Sequence, residues 1–255
     1  RFFYSREIIY FLLIRFLRKA IEISYKTIYN EYMENKSNYN DLKLKAYAKV
    51  NLGLNIERKR PDGYHDIDTI MTRICLYDEV SLAVSKKHSH TFSISLSKDL
   101  QKIYNEAELS KIKENSPIFR VAEYIAQEYN TPCVDVNIIK SIPFRAGLGG
   151  SATDTAAVAY GMTKLFDLNE IPESVLLKFG ADVPFFYSSY LSQNIKRIKG
   201  IGNVLKSLPA KKLYLAILFE GNGVNTKEAF EVYDRQGGEK ADIDKIEEYI
   251  LNKIR

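Results

Sequence analysis

A glycine-rich stretch that runs into small, helix-forming residues has the clearest chemical meaning in this sequence. Residues 143–154 read PFRAGLGGSATD. Glycines let the backbone approach a polyphosphate, and the N-terminus of a following helix offers unpaired N–H groups and the positive end of its dipole. The stretch has neither the Gly-Lys-Ser/Thr ending of a Walker loop nor the Gly-x-Gly-x-x-Gly spacing of a dinucleotide fold. It predicts a phosphate cradle for phosphoryl transfer, although the glycines alone fit a plain strand-to-helix turn equally well.

The residues on either side of this loop favour the phosphate cradle. Before it, Val134, Val136 and Ile138 alternate with polar residues, as in a half-buried strand, and Pro143 ends the ladder. After it, residues 155–166 are rich in alanine and contain no proline. Strand, glycine turn and helix therefore follow in the order that aims backbone N–H groups at an anion.

A lysine and an asparagine on one predicted strand form the second candidate site. In residues 46–56 every even position is apolar and most odd positions are polar, so Lys49 and Asn51 share the face opposite the buried one. A lysine of this kind is most often a solvated residue at a sheet edge, and that interpretation stays open for Lys49 taken alone.

Two more segments carry candidate functional side chains. Residues 60–63 (RPDG) form a turn by composition, which does not account for Tyr64 and His65 at its exit. In GADVPFF, Asp182 either caps a turn or, with apolar neighbours and a nearby cation, accepts a proton from a hydroxyl.

Together these segments resemble the GHMP kinase superfamily. The resemblance rests on Lys49 in AYAKVNL, on PDGYH ending at His65, on the loop from Pro143 and on GADVPF around Asp182. Within that superfamily, the Lys49 strand followed by PDGYH resembles the kinases that act on a cytidine diphosphate-linked methylerythritol. It differs in this feature from the kinases that act on mevalonate, homoserine or galactose. The similarity runs from about residue 43 to about residue 235 and includes GVNT before Phe230.

The resemblance implies roles for these residues. It implies ATP-dependent phosphorylation of the substrate's 2-hydroxyl in non-mevalonate isoprenoid biosynthesis, with Asp182 accepting the hydroxyl proton and Lys49 offsetting negative charge. Asn51 would bind the substrate, Tyr64 would stack on the cytosine and His65 would hydrogen-bond it. ATP and Mg²⁺ are the implied cofactors. The expected ATP and phosphate contacts are Lys140, Pro143, Ala146, Gly147, Leu148, Gly149, Gly150, Ser151, Ala152 and Thr153, with Ser151 or Thr153 also a candidate contact of Mg²⁺.

The sequence also departs from the family pattern. Family loops usually read GLGGGSSDAA, whereas Ser151, Ala152 and Thr153 here move one hydroxyl and replace another. Arg145 stands where the family commonly has a small residue; it either binds a phosphate or is an exposed loop residue. A late Gly-Thr-Gly-type segment has no counterpart, so part of the second domain is expected to be missing.

The predicted fold class is α+β with the two domains of a GHMP kinase. Residues 1–40 would be an N-terminal extension, 41–170 the ATP-binding domain and 171–255 a partial C-terminal domain. Met33 is the expected start of the natural chain, the alternative being a basic interfacial helix upstream of it. The predicted strands cover residues 43–57, 77–84, 90–97, 134–142 and 213–219; the predicted helices cover 117–129 and 153–166, begin at Pro172 and at an Asn225/Glu228 capping box, and end the chain at 243–254.

Composition agrees with a globular enzyme without identifying one. The 255 residues are 45% hydrophobic, enough for two modest cores, and the net charge of +5 is weak support for nucleic-acid binding. Cys75 and Cys133 fit reduced cytosolic thiols, and His88 and His90 are interpreted as polar surface residues rather than a metal pair. We therefore expect a cytoplasmic monomer or weak homodimer that binds a small molecule, without nucleic acid or membrane. Another GHMP small-molecule kinase and a non-catalytic fragment or nucleic-acid binder remain the alternatives.

Overall fold

The computed structural model describes residues 41–105, 109, 116–192, 194–210, 212–218 and 226–252. Its centre is a six-stranded sheet in which β3 and β4 are parallel and the other pairs are antiparallel. The strands are β1 (Leu42–Lys59), β2 (His65–Val84), β3 (Thr91–Leu96), β4 (Val134–Lys140), β5 (Ile195–Gly200) and β6 (Val204–Leu208). The helices are α1 (Pro117–Glu128), α2 (Gly150–Phe166), α3 (Glu173–Leu176), α4 (Val183–Leu191), α5 (Thr226–Gln236) and α6 (Ile243–Leu251).

The long β1–β2 hairpin is the scaffold of the sheet. β1 agrees with the predicted strand, whereas β2 begins at His65 and not near residue 77. Its first half pairs with β1 on one edge and β5 on the other, and residues 69–72 are all buried. A strand covered on both faces loses the alternation of polar and apolar residues. That loss explains why the sequence pattern missed it.

Helices α1 and α2 pack on one another over the sheet. α1 confirms its prediction, and the N–H of Ile118 donates to the Oγ of Ser116 as a helix cap. α2 begins at Gly150, three residues before its predicted start at Thr153. Most of its residues from Thr153 onward are buried, so the helix lies inside the core and does not cover it from outside.

A charged network holds the last helix against the sheet. α6 begins after Asp242, whose carboxylate accepts the N–H of Lys245. Arg197 on β5 donates at 2.6 Å to Asp244 and at 2.7 Å to Glu247 of α6. Since the same guanidinium also binds Asp68 of β2, one side chain joins β2, β5 and α6.

The predicted strand at 213–219 is wrong for the residues described. Residues 212–218 have no regular secondary structure, and Leu218 is 97% exposed. No other described strand pairs with this segment, and an apolar run forms a strand only where a neighbour satisfies its backbone groups. Phe219 and Asn225 lie outside the described residues, as does Ile254.

Residues 1–40, with the expected start at Met33, also lie outside the described part of the chain. None of the helices in the described ranges is both long and apolar enough to cross a membrane. The sheet continues through residue 208, beyond the expected domain boundary at 170, and the division into two domains stays a prediction.

Candidate functional site

Lys49 lies at an irregular point of β1, facing Asp182. The β1–β2 register shifts between Tyr47 and Lys49 and again between Asn51 and Gly53, and such bulges redirect side chains. The Nζ of Lys49 donates to the Oδ1 of Asn51 at 2.6 Å and lies 3.6 Å from the Oδ2 of Asp182. Lys49 is only 8% exposed, so it is not the solvated edge lysine of the alternative interpretation.

Asp182 occupies the N-cap position of α4 without acting as a cap. Its side chain accepts no capping hydrogen bond, and it is 30% exposed. A carboxylate that is neither consumed by the helix nor fully buried keeps oxygen atoms available to a ligand. Asp182 can therefore accept a proton from a hydroxyl group placed beside Lys49.

A chain of hydrogen bonds sets the orientation of Asn51. Its Nδ2 donates to the Oγ1 of Thr69 at 2.9 Å, and that hydroxyl donates to the carbonyl of Gly53 at 2.6 Å. Because the hydroxyl accepts from Nδ2, the amide oxygen is directed at Lys49. Thr69 is fully buried on β2, so the pair Lys49–Asn51 is held by the hairpin itself.

The phosphate loop is tied to β1 next to Lys49. The N–H of Lys49 donates to the carbonyl of Leu148 at 3.0 Å. Gly149 follows with φ 73°, and a Cβ added there would lie 2.6 Å from the Cζ of Phe186 and 3.2 Å from the Cγ of Lys49. Glycine is thus required by both its backbone angle and its neighbours.

The first turn of α2 begins directly after Gly149. The N–H of Thr153 donates to the carbonyl of Gly149 at 2.9 Å, which makes it the first helical hydrogen bond. The preceding N–H groups, from Gly150 to Ala152, have no partner within the helix and lie at the positive end of its dipole. This turn has the properties of an anion-binding site.

The structure separates the two candidate hydroxyls of this turn. Thr153 is buried, and its Oγ1 donates to the carbonyl of Tyr47 at 2.9 Å, which joins α2 to β1. Ser151 is exposed on the same turn. Arg145 is exposed in the loop with φ 55°. Of the two hydroxyls, that of Ser151 is the one open to a ligand.

Lys140 lies beneath the loop in a buried charged cluster. Its Nζ contacts Asp78, lies 2.6 Å from the Oδ2 of Asp154 and 3.4 Å from the carbonyl of Gly150. Burial opposes its charge, but Asp154 and Asp78 raise the pKa of Lys140. Burial raises the pKa of Asp154 to about 8, against the opposing effect of Lys140. The contact of Lys140 with ATP stays a prediction.

Asp78 connects this cluster to the loop backbone. Its Oδ1 accepts the N–H of Ser141 at 2.5 Å and that of Ile142 at 2.8 Å. The Asp78 carboxylate and the Lys140 ammonium therefore join strand β2, the end of β4 and the start of α2. The loop between β4 and α2 is held at its base by these charges.

Tyr64 and His65 stand at the other end of the hairpin. Tyr64 is 61% exposed, whereas the His65 side chain is only 8% exposed. The Nε2 of His65 lies 2.7 Å from the Oδ1 of Asp234, and its ring stacks on Phe230 with centroids 4.8 Å apart. Sequence reasoning missed Asp234, because a single carboxylate on a helix 169 residues away carries no local signal.

A turn of the sheet supports the backbone before Asp182. Gly202, between β5 and β6, has φ 101°, and a Cβ added there would overlap the carbonyl oxygen of Ala181. The glycine therefore allows this turn to pack directly on the peptide that precedes the candidate base.

The histidine pair near β3 does not resemble a metal site. The Nδ1 of His90 accepts the N–H of Val134 at 3.0 Å, and burial lowers the pKa of this imidazole. Within the described ranges, no group of three or more His, Cys, Asp or Glu side chains is arranged to hold a metal ion.

Parts of this chain are similar in sequence to known kinases. Residues 116–190 match the GHMP kinases N terminal domain family. The chain is 35% identical over 196 residues to 4-diphosphocytidyl-2-C-methyl-D-erythritol kinase of Thermosipho africanus, covering 74% of this chain and 63% of that protein. For the same enzyme of Thermoanaerobacter pseudethanolicus the identity is 33% over 198 residues, covering 76% and 63%. The chain thus spans about 63% of the length of these curated relatives.

Solved structures share the fold. A crystal structure of 4-(cytidine 5'-diphospho)-2C-methyl-D-erythritol kinase is 25% identical with a TM-score of 0.58, covering 82% of this chain and 71% of that one. Mevalonate pyrophosphate decarboxylase from Streptococcus pyogenes is 13% identical with a TM-score of 0.52, covering 83% and 68%. The two structures confirm the predicted mixed α and β fold, and the curated relatives confirm the resemblance inferred from the motifs.

Proposed function

We propose that this chain is part of an ATP-dependent kinase acting on 4-diphosphocytidyl-2-C-methyl-D-erythritol, since residues 116–190 match the GHMP kinases N terminal domain family. The reaction would phosphorylate the 2-hydroxyl of that substrate during non-mevalonate isoprenoid biosynthesis. The observation that carries the proposal is the Lys49–Asp182 pair, 3.6 Å apart, beside the glycine loop that opens α2.

The proposed step needs a base, a positive charge and a bound phosphate. The substrate hydroxyl oxygen attacks the γ-phosphorus of ATP, its proton passes to an Asp182 carboxylate oxygen, and the bond from the γ-phosphorus to the bridging oxygen breaks to release ADP. Lys49 stabilises negative charge on the reacting oxygens. Phosphoryl transfer depends mainly on such positioning and charge stabilisation.

The start of α2 supports the binding of ATP phosphates. Free N–H groups from Gly150 to Ala152 suit phosphate oxygens, and Ser151 adds an exposed hydroxyl. Mg²⁺ in such sites is usually held by phosphates, water and one or two protein oxygens, and the exposed hydroxyl of Ser151 fits that requirement. A bound Mg²⁺ would neutralise phosphate charge.

The far end of the hairpin supports recognition of the cytosine base. Tyr64 offers an exposed ring for stacking, which is worth roughly 1–3 kcal/mol per base. His65 offers a hydrogen-bonding imidazole beside it. Cys75 and Cys133 are free thiols, which supports a reducing compartment, and we propose a cytoplasmic enzyme that is a monomer or weak homodimer.

The test is ATP-dependent phosphorylation by the full chain with four alcohols supplied separately: the cytidyl-methylerythritol substrate, mevalonate, homoserine and galactose. We expect ADP release and a phosphorylated product with the first alone. Faster turnover of any of the other three would contradict the substrate assignment. Tyr64→Ala is the matched variant, because it should raise the KM for the cytidine substrate more than that for ATP.

A further inference from the structure

The His65 imidazole is held by two side chains of α5, a distant part of the chain. Phe230 of α5 stacks on its ring at 4.8 Å with 21° between the planes. Asp234, one helical turn later, lies 2.7 Å from Nε2 through Oδ1, and its Oδ2 lies 2.5 Å from the Nζ of Lys59. The ring is therefore held at its face and at one edge.

Helix α5 is itself anchored to the end of β1. The hydroxyl of Tyr233 donates to the carbonyl of Ile56 at 3.2 Å, and Lys59 reaches Asp234 from the last position of the strand. His65 pairs with Lys59 across the hairpin. The pairing of β1 with β2 therefore places Lys59 beside His65, and the anchoring of α5 brings Asp234 to both side chains.

This arrangement decides which imidazole nitrogen carries hydrogen. Hydrogen bonds from Lys59 and then from His65 hold the pKa of Asp234 below its usual range, so it is a carboxylate at neutral pH. A carboxylate only accepts hydrogen bonds. Nε2 must therefore donate, and in the neutral ring Nδ1 is left as a lone-pair acceptor.

We propose that Asp234 is a positioning residue that makes His65 a hydrogen-bond acceptor and thereby selects a pyrimidine carrying an exocyclic amino group. This inference rests on the proposed function only in placing the base at His65. The 4-amino group of cytosine donates to an acceptor nitrogen, whereas the 4-carbonyl oxygen of uracil meets it lone pair to lone pair. Selection works by attraction of one base and repulsion of the other.

The first test measures binding without catalysis. Cytidine diphosphate and uridine diphosphate are titrated into the full chain by calorimetry. We expect the wild type to prefer the cytidine nucleotide by about tenfold or more, the size expected for one unpaired buried hydrogen-bonding group. In Asp234→Asn the ratio should fall toward one, since an amide offers either a donor or an acceptor to Nε2. Asp234→Glu should restore it.

Matched variants separate this effect from loss of structure. Glu57→Gln breaks another ion pair between β1 and the C-terminal part of the chain, the one with Lys240 at 3.0 Å, without touching His65. It should leave the nucleotide preference unchanged. Tyr64→Ala should weaken both nucleotides, which locates them at this end of the hairpin.

The second test observes the ring directly. The chain has three histidines, so ¹⁵N spectra of the imidazoles can be assigned by comparison with His65→Gln. We expect the Nε2–H form in the wild type and a loss of that preference in Asp234→Asn. A wild-type Nδ1–H form, or an Asp234→Asn protein that still prefers cytidine diphosphate, would overturn the proposal. A chain that discriminates between the nucleotides but phosphorylates nothing would contradict the proposed function and leave this inference standing.

Discussion

The ammonium of Lys49 is shared between two oxygens: it donates to Asn51 at 2.6 Å and lies 3.6 Å from Asp182. The shorter contact holds the lysine in place through the hairpin, and the longer one leaves the oxygen atoms of the candidate base Asp182 open to a ligand. Lys49 also packs against the phosphate loop, since a Cβ added at Gly149 would lie 3.2 Å from its Cγ. One residue thus joins the candidate base to the phosphate loop.

Replacing Asp182 by asparagine should remove the proton acceptor and retain the shape of the site. We expect kcat to fall by about 10²–10⁴-fold, the usual contribution of general base catalysis, with little change in the KM for ATP. Steady-state kinetics measure both. Asp167→Asn is the control, because that exposed carboxylate ends α2 with φ 56°, an angle that asparagine tolerates. Undiminished turnover in Asp182→Asn would refute the mechanism.

Gly147 and Gly149 allow a matched comparison in the loop. Their φ angles are 71° and 73°, but only at Gly149 would an added Cβ meet other atoms, those of Phe186 and Lys49. Alanine at either position should cost about 1–2 kcal/mol in backbone strain. Gly149→Ala should in addition weaken ATP binding strongly, as measured by calorimetry and thermal unfolding. Equal effects of the two variants would contradict the packing described at Gly149.

The two hydroxyls of the first turn of α2 should behave differently. Thr153→Val removes a buried hydrogen bond to Tyr47 and should lower the free energy of unfolding by about 1–3 kcal/mol, because the carbonyl loses its partner. Ser151→Ala should leave stability unchanged and raise the KM for ATP. Chemical denaturation and steady-state kinetics on both variants check this. If Thr153→Val raised the KM for ATP and left the free energy of unfolding unchanged, Thr153 and not Ser151 would be the hydroxyl that contacts the ligand.

Lys196 on β5 is buried, with 2% of its surface exposed. Its Nζ donates to Ser192 at 2.7 Å and to Ser207 at 3.2 Å. Burial, and then the nearby charge of Arg73, lower the pKa of Lys196. The unfolded chain therefore binds more protons between this lowered pKa and the ordinary value, and stability should rise with pH across that interval.

Replacing Lys196 by methionine should remove this pH dependence. We expect a gain in stability of about 1 kcal/mol at pH 7, which corresponds to roughly 2–4 °C in Tm for a chain of this size. The exposed Lys98→Met is the control and should change stability by less than about 0.5 kcal/mol. Thermal melts from pH 7 to pH 10.5 test the sign; a wild-type slope that survives in Lys196→Met would contradict this account.

Local patterns were sufficient for much of the site. The alternation in β1 predicted the strand of Lys49, and the glycine loop predicted a helix start. Each of these signals is local, because it is contained within a few consecutive residues. The start of α2 was placed three residues late because a left-handed glycine, Gly149, rather than a polar cap, precedes the helix. The function of a glycine as a cap depends on its φ angle, which composition does not report.

Long-range relations were not accessible from the sequence. Nothing near Asp234 indicates that it binds His65, and nothing near Thr153 indicates that its hydroxyl is consumed by Tyr47. The sequence pattern missed strand β5 because Lys196 and Arg197 are charged residues in buried or half-buried positions, which breaks the expected alternation. The strand predicted at 213–219 is wrong for a different reason. Its apolar residues favour a strand, but no described strand pairs with them.

The close approach of Gly202 to Ala181 has a consequence for the genetics of this protein. A side chain at residue 202 would push the peptide before Asp182, and a displacement of about 1 Å at a reacting group can cost 100-fold in rate. A mutational survey would then score residue 202 among the positions where a side chain lowers both stability and activity, because its left-handed backbone strains any other residue. The loss of activity would come from the displaced Asp182, although Gly202 itself is not one of the candidate site residues.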